Sequence, residues 1–316
     1  MADDGSKTAI AWPLFDQVIA EAKVDGNYTN PWVLEDGELR FEIDESVLTR
    51  LLGVPLMIKG ENNTRSGILA LALDVWAAYE LRRAGFEPDA VWPRETAPRV
   101  MPVPVGNLIA GSGLTKKLSA EVRERIDGKS SIPGVAYSSA RILGKLYQKQ
   151  VDAGMASWET GPEIMISTKR MDWSFGKNLG NRAEESYGDA KNLRLRHPMA
   201  AIGFLFGLRS TVLTESRTGA SQIIDRLTRL ENEDDAYDAT CLVMLEYEDA
   251  TEWPDVPRLE DLIPISIRWD AMREHIGPNA FFTKIVKRVL EVTPEDFHTG
   301  VRDRMAQIQP DTLPEA

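Results

Sequence analysis

Residues 161–193 read GPEIMISTKRMDWSFGKNLGNRAEESYGDAKNL, and this stretch predicts a strand, a loop and a helix in succession. Its apolar start, bounded by glycine and proline, is typical of a buried strand that ends in Ser167-Thr168-Lys169. A loop rich in glycine and asparagine follows over residues 170–180, and residues 181–193 have helical spacing. The stretch therefore predicts a lysine at a strand end, followed by an acidic helix.

Side-chain alternation predicts which of these residues are neighbours. In a strand, Glu163, Ser167 and Lys169 project to one face, while Thr168 projects to the other. On the helix, Glu184 and Glu185 lie on opposite edges of the stripe that faces the core. Because only one edge can face the lysine, both glutamates remain candidates for a shared site.

A lysine beside carboxylates is suited to the metal-assisted cleavage of a phosphodiester. Carboxylates hold Mg²⁺, which stabilises the charge that develops on the phosphate, and Mn²⁺ can take its place. We predict that Lys169 orients the attacking water or offsets charge. Glu184 or Glu185 would hold the metal, and Ser167 would orient the lysine or a water held by the metal.

The remainder of the chain predicts an α/β protein with a mixed sheet flanked by helices. The first part, residues 1–112, reads as mostly helical, and its clearest helix covers residues 66–84. A segment rich in proline and glycine, residues 93–113, marks a boundary to an α/β domain over 113–316. In that domain the sequence predicts helices at 137–153 and 220–230 and strands at 163–169, 200–208 and 239–247.

Composition excludes several classes of site. The chain of 316 residues is 43% hydrophobic, which is enough for a sizeable core. It has no apolar run long enough for a membrane span, and we expect no signal peptide. We expect a cytoplasmic protein. The single Cys241 lies in an apolar run and predicts a buried structural thiol, and the three histidines lack the spacing of zinc ligands.

The charge distribution favours one region for nucleic-acid binding. The net charge is −12, yet residues 169–196 carry seven basic side chains against four acidic ones. The predicted loop and the start of the helix carry side chains suited to phosphates and base edges. We predict that DNA is contacted by Arg170, Lys177, Asn178 and Arg182.

The arrangement of these residues resembles the PD-(D/E)xK nuclease superfamily, the fold of most type II restriction endonucleases. Family members carry an acid-x-Lys triplet on a strand, and here the triplet is Ser167-Thr168-Lys169. This is similar to the subgroup with a Ser-x-Lys triplet, in which the glutamate has moved onto the following helix. Glu184 and Glu185, fifteen and sixteen residues after Lys169, match that displaced glutamate.

The resemblance also implies a metal-binding acid that follows a proline. Glu163, preceded by Pro162, is the best local candidate, although two strand residues six apart are separated by about 20 Å unless the strand bends. Asp89 lies far upstream, and Asp127 and Asp152 fall at or near the ends of predicted helices.

The resemblance implies a restriction-endonuclease-like core and a Mg²⁺-dependent endonuclease that cleaves double-stranded DNA in restriction or a related defence system. A homodimer would suit a palindromic target, with the N-terminal region supplying dimer contacts or target recognition. No nucleotide cofactor or membrane is expected, since the chain lacks a phosphate loop and a dinucleotide fingerprint. The alternative is a non-catalytic interaction protein on the same scaffold.

Overall fold

The structure, a computed structural model, describes residues 4–58, 67–110, 114–126, 132, 135–137 and 139–308. Within these ranges, the side chains of residues 4–6, 110 and 176–183 are not described. The α-helices are α1 (Asp4–Ala22), α2 (Glu45–Met57), α3 (Ile68–Ala84), α4 (Val103–Ala110), α5 (Lys116–Ile126), α6 (Gly176–Arg194), α7 (Val212–Glu215), α8 (Arg217–Glu231), α9 (Pro278–Val292) and α10 (Thr299–Ala306). The strands are β1 (Trp32–Glu35), β2 (Glu38–Phe41), β3 (Val91–Trp92), β4 (Ala140–Leu143), β5 (Gln148–Val151), β6 (Ala153–Ser157), β7 (Gly161–Met171), β8 (Ala201–Arg209), β9 (Ala239–Glu246) and β10 (Ser266–Ile267).

Six strands form a mixed sheet in the order β10-β9-β8-β7-β6-β3. The central strands β7, β8 and β9 are parallel, and helical connections join them, as parallel strands require. The outer pairs β6/β7, β3/β6 and β9/β10 are antiparallel. Two hairpins, β1/β2 and β4/β5, form separate two-stranded sheets. The predicted mixed α/β sheet flanked by helices is confirmed.

The two faces of the sheet bury different clusters of side chains. Ile164 and Ile166 of β7 face one cluster, which includes residues of α1, α2, α3 and α9. Met165, between them, faces the other cluster, to which α6 and α8 contribute. The side chains of β8 and β9 also alternate between the two clusters. All residues of β8 are buried, and so are all residues of β9 except the last, Glu246. Central strands covered on both faces read as continuous apolar runs, which explains their clear signal in the sequence.

Several predicted elements are confirmed with small changes at their ends. The helix predicted at 66–84 is α3, which Gly85 terminates with a positive φ of 111°. The helix at 220–230 is α8, and the strands at 163–169, 200–208 and 239–247 are β7, β8 and β9. Cys241 is fully buried, as predicted, and this burial raises the pKa of its thiol.

Two predicted elements are wrong. The helix predicted over 137–153 is wrong, because β4, β5 and the start of β6 occupy residues 140–153 and Gly144, a residue that favours turns, lies between β4 and β5. The loop predicted over 170–180 ends early, since α6 begins at Gly176.

The N-terminal region is mostly helical, as predicted, and parts of it lie against the sheet. Helix α3 packs on β6, β7 and β8, and β3 pairs with β6 through Val91 and Met155. One hydrophobic cluster thus contains residues from both sides of position 112. The division into 1–112 and 113–316 stays a prediction.

Within the described ranges, each helix is too short or too polar to cross a bilayer.

Candidate functional site

Strand β7 ends with the predicted triplet, whose side chains project to alternate faces. Ser167 and Thr168 are buried, at 7% and 2% exposed, while Lys169 is half-buried. Thr168 faces α3, because its hydroxyl donates a hydrogen bond to Asp74 Oδ1 on that helix. The alternation predicted for Ser167 and Lys169 against Thr168 agrees with this contact.

The antiparallel pairing of β6 and β7 stops beside the triplet. The last pair in this direction is Ala153 with Ile166, and the amide of Asp152 still donates to the Ile166 carbonyl at 3.0 Å. One step further, the Asp152 carboxylate replaces the backbone as acceptor, because its Oδ2 lies 2.9 Å from the amide nitrogen of Thr168. Asp152 is therefore fixed where the two strands separate.

Thr168 connects two carboxylates from different elements. Its hydroxyl binds Asp74 of α3, and its backbone amide binds Asp152, which follows β5. Both aspartates are half-buried, and their shared contacts with Thr168 hold the two acids close together. Residues from a helix, a strand end and a hairpin exit meet at this point.

The electrostatics of this pair are unbalanced. Burial raises the pKa of Asp74 well above its usual value and the charge of Asp152 raises it further, whereas the Thr168 hydrogen bond and Lys169 lower it. Burial also raises the pKa of Asp152, while the Thr168 amide, Lys169, the Gln150 side chain and Lys149 lower it. Lys169 thus acts on both carboxylates, and Lys149 acts on Asp152. A divalent cation or a proton would relieve the remaining repulsion, and we call Asp74, Asp152, Thr168 and Lys169 the strand-end site.

The predicted metal ligand Glu163 lies at the opposite end of β7 from Lys169, and its metal-binding role stays a prediction. Its Oε2 lies 2.6 Å from Nε2 of His298, and its Oε1 accepts a hydrogen bond of 2.6 Å from the Thr160 hydroxyl. The side chain is only 8% exposed. Because a strand advances about 3.3 Å per residue, six residues place Glu163 about 20 Å along the strand from Lys169.

The two helix glutamates are exposed on α6. Glu184 is 76% exposed and lies 3.9 Å from Nη1 of Arg226 on α8. Glu185 is exposed beside it. The metal-binding role of Glu184 and Glu185 stays a prediction, whereas the acids whose pKa values Lys169 influences are Asp74 and Asp152.

Of the four predicted DNA contacts, the structure describes the side chain of one. The Arg170 side chain is fully buried and donates three hydrogen bonds to Asp172 and one to the Leu52 carbonyl, and its contact with DNA stays a prediction. Alternation along β7 turns it towards the face that the N-terminal helices cover. Lys177, Asn178 and Arg182 lie within α6, and their side chains are outside the described residues.

Sequence reasoning missed both aspartates of the strand-end site, although each carries a local signal. Asp74 is an acid inside the apolar helix α3, and acids in such helices are rarely buried without a partner. Asp152 directly precedes the small-residue strand AGMAS, but the incorrect helix over 137–153 concealed that strand. Gly144, in the middle of the predicted helix, was the signal for a turn there.

Glu80, the other acid of α3, pairs with Arg83 on the same helix. The Glu80 carboxylate accepts from Arg83 at 2.6 Å, from the Trp76 indole at 3.0 Å and from the Asp44 amide at 2.9 Å. Its side chain is fully buried, and burial raises its pKa against these contacts. Glu80 therefore stabilises the packing of α3 and lies outside the strand-end site.

No family model, curated protein or solved structure matches this chain. Among the residues that the structure describes, no three histidine, cysteine, aspartate or glutamate side chains form a cluster that could hold a metal ion. The candidate site therefore rests on the two carboxylates, Thr168 and Lys169. One or two carboxylates, completed by waters and substrate phosphates, are the usual protein ligands of Mg²⁺.

Proposed function

We propose that this protein is a Mg²⁺-dependent DNA endonuclease of the PD-(D/E)xK type, as the Ser-x-Lys triplet suggests. The observation that supports it best is the meeting of Asp74 and Asp152 at Thr168, where β6 and β7 separate, with Lys169 near enough to lower the pKa of both acids. The central mixed sheet and the position of the triplet on a central strand fit the same proposal. Restriction or a related defence against foreign DNA would be its setting.

The donor set fits a hard divalent cation. Asp74 and Asp152 supply carboxylate oxygens, and both residues are half-buried. The charge of Asp152 raises the pKa of Asp74, and a cation bound between them would remove this repulsion. A bound cation would neutralise the phosphate and activate a water molecule. This assignment moves the metal-binding role from Glu163 to Asp152 and adds Asp74.

The protein's own groups have separate tasks in this proposal. Lys169, which lowers the pKa of both acids, would stabilise the charge that develops on the scissile phosphate. The backbone amide and hydroxyl of Thr168 hold the two carboxylates in position. Ser167, on the same face as Lys169 by strand alternation, would orient the lysine.

The proposal is tested by incubating the protein with plasmid and phage DNA of varied sequence and modification, with Mg²⁺ or Mn²⁺. We expect cleavage by the wild-type protein and a loss of about 100- to 1,000-fold in rate for Lys169→Ala, since one preorganised charge contributes about that much. Asp152→Asn and Asp74→Asn should lose activity to a similar degree.

Glu184→Gln and Glu185→Gln are matched controls, because each removes one carboxylate from the neighbouring helix. We expect them to retain cleavage. Loss of cleavage in a glutamate variant, with activity kept in Asp152→Asn, would restore the displaced-glutamate assignment. Absence of metal-dependent cleavage from every substrate would favour the non-catalytic interaction protein.

A further inference from the structure

The β4/β5 hairpin leads directly into the strand-end site. Strand β5 ends at Val151, and the next residue is Asp152. The side-chain amide Nε2 of Gln150 also donates to Asp152 Oδ1 at 3.3 Å. A ligand that contacts this hairpin therefore lies next to the proposed catalytic carboxylate.

The hairpin has one packed face and one exposed face. In the register, Ala140 pairs with Val151, and both are buried in the cluster beneath α6. Lys149, which pairs with Ile142, is tied to Asp189 of α6 by an ion pair. The hairpin is thus held on the body of the protein by one side.

The exposed face carries two cross-strand pairs, Arg141 with Gln150 and Leu143 with Gln148. All four side chains are exposed. Arginine and glutamine are side chains that bind guanine and adenine edges with two hydrogen bonds, and apolar groups contact the thymine methyl. The face therefore combines the chemical groups that proteins use to distinguish base pairs.

Hydrogen bonds to α6 hold the turn of the hairpin in a defined position. The Asn192 side chain on α6 accepts from the amides of Leu146 and Tyr147 and donates to the Tyr147 carbonyl at 3.0 Å. An added Cβ at Gly144 would lie 2.2 Å from the Asn192 amide nitrogen, so glycine is required for this approach. Nε2 of His197 lies 3.0 Å from the Leu143 carbonyl. A held turn presents Lys145 and Leu146, the latter 81% exposed, in a defined position.

The charge of the segment fits a polyanion. Residues 128–151 contain no acidic side chain in a chain whose net charge is −12, whereas they include Lys129, Arg141, Lys145 and Lys149. Arg196, next to His197, adds an exposed basic residue beside the hairpin. The basic side chains of this segment therefore favour an anionic partner, although Asp189 of α6 already pairs with Lys149.

We infer that the exposed face of the β4/β5 hairpin reads base edges in the major groove of duplex DNA, next to the phosphate that is cleaved. The inference rests on the proposed function for its position and on the hairpin's own residues for its partner. The major groove, about 12 Å wide, admits a two-stranded β-ribbon. Arg141, Gln148 and Gln150 are the base-contacting residues, and Lys145 at the turn binds the backbone phosphate.

The geometry also limits where cleavage occurs. Gln148 lies four residues before Asp152, which corresponds to about 13 Å along a strand. Successive base pairs are about 3.4 Å apart, so the bases read lie within about four steps of the cleaved bond. The protein should cut within or directly beside its recognised sequence.

The first experiment measures sequence selection without cleavage. The full-length protein is incubated in Ca²⁺ with a duplex DNA library that has a randomised centre, and bound DNA is recovered and sequenced. Ca²⁺ is a hard cation with oxygen ligands and would neutralise the acidic pair. We expect the wild-type protein to enrich a defined sequence, and Arg141→Lys and Gln148→Ala to lose roughly 5- to 150-fold in discrimination at one position each.

Two features make this result specific to base reading. Arg141→Lys keeps the positive charge but loses the planar fork of the guanidinium, so affinity for non-cognate duplex should change less than twofold. Arg258→Ala is the matched control, since Arg258 is a 69% exposed arginine outside the hairpin. It should keep the wild-type sequence preference. Melting curves show whether each surface variant is folded.

The outcomes separate the hairpin inference from the nuclease proposal. Selection that survives in both hairpin variants, or wild-type protein that enriches no sequence or prefers single-stranded RNA, overturns the inference even if Mg²⁺-dependent cleavage is present. Selection that the hairpin variants lose, with no cleavage in Mg²⁺ or Mn²⁺, supports the inference and overturns the nuclease. Sequenced ends that map more than about ten base pairs from the selected site contradict the predicted distance.

Discussion

Strand β7 carries two charged clusters that differ in how their charges are matched. At the strand-end site, the half-buried acids Asp74 and Asp152 both bind Thr168, and Lys169 lowers the pKa of each. Beyond it, Arg170 and Asp172 form a fully buried pair that Tyr247 completes through its hydroxyl. The adjacent residues Lys169 and Arg170 thus face different environments. The buried ion pair of Arg170 and Asp172 stabilises the local packing. The two acids Asp74 and Asp152 repel each other, which favours the binding of a cation.

The largest expected effect is on stability, in the matched cluster. Arg170→Met leaves Asp172 buried without its cation, and such a change costs about 3–5 kcal/mol in the free energy of unfolding. Denaturant unfolding measures it. The double variant Arg170→Met, Asp172→Asn should recover part of that loss, because the second change removes the isolated charge. A cost below about 1 kcal/mol for Arg170→Met would mean that this cluster is not held by its charges.

At Lys169 the effect should fall on activity instead. Lys169→Met removes the cation of an accessible pair of acids that can take up a proton or a metal ion, so we expect a stability change of about 1 kcal/mol or less. The cleavage rate should fall about 100- to 1,000-fold, as for Lys169→Ala. If Lys169→Met and Arg170→Met lost stability equally, the distinction between the two clusters would be incorrect.

The raised pKa of Asp74 predicts a dependence of stability on pH. An acid with a higher pKa in the folded state is protonated more readily there, so its penalty is absent below the ordinary Asp pKa of about 3.9 and grows as the pH rises towards the folded value. Asp74→Asn should therefore be more stable than wild-type protein at pH 7 by about 0.5–2 kcal/mol, with no difference near pH 3.

Unfolding curves from pH 3 to 8 in EDTA, repeated with Mg²⁺, measure this difference. Mg²⁺ should stabilise the wild-type protein and reduce the advantage of Asp74→Asn, because a ligand of the folded state raises stability by mass action. A variant that is less stable at every pH would show that Asp74 acts mainly through its hydrogen bond from Thr168.

The smallest effect is expected at Glu163, the predicted ligand that lies at the other end of β7. Glu163→Gln weakens the contacts with His298 and Thr160, at a cost of about 1 kcal/mol. Cleavage by the folded variant should stay within twofold of wild-type, which kinetic assays measure. A loss of activity comparable with that of Lys169→Ala would return Glu163 to the site.

The parts of the fold that the sequence predicted are those in which one pattern dominates. The buried strands β8 and β9 are continuous apolar runs, and α3 has a long apolar stretch that ends at glycine. The β4/β5 hairpin was missed because its strands are four residues long and one face is packed against α6, which leaves few apolar positions. Short runs of this kind do not distinguish a helix from a strand.

The candidate site was predicted in part, for a related reason. Lys169, Ser167 and Thr168 are contiguous, so local alternation was enough to place them on β7. Asp74 precedes Thr168 by 94 positions and reaches it only because α3 packs on the sheet. Asp152 required the correct pairing of β6 with β7. Long-range contacts of this type are set by tertiary packing, which periodicity along one segment does not reveal.

Calorimetric titration of Mn²⁺ tests most directly the claim that Asp74 and Asp152 form the cation site beside Lys169. Wild-type protein and a Glu184→Gln, Glu185→Gln double variant are predicted to bind Mn²⁺ with similar affinity, and Asp152→Asn to bind at least about tenfold more weakly, which corresponds to about 1.4 kcal/mol. Unchanged binding in Asp152→Asn, or binding lost only in the glutamate double variant, would contradict the account.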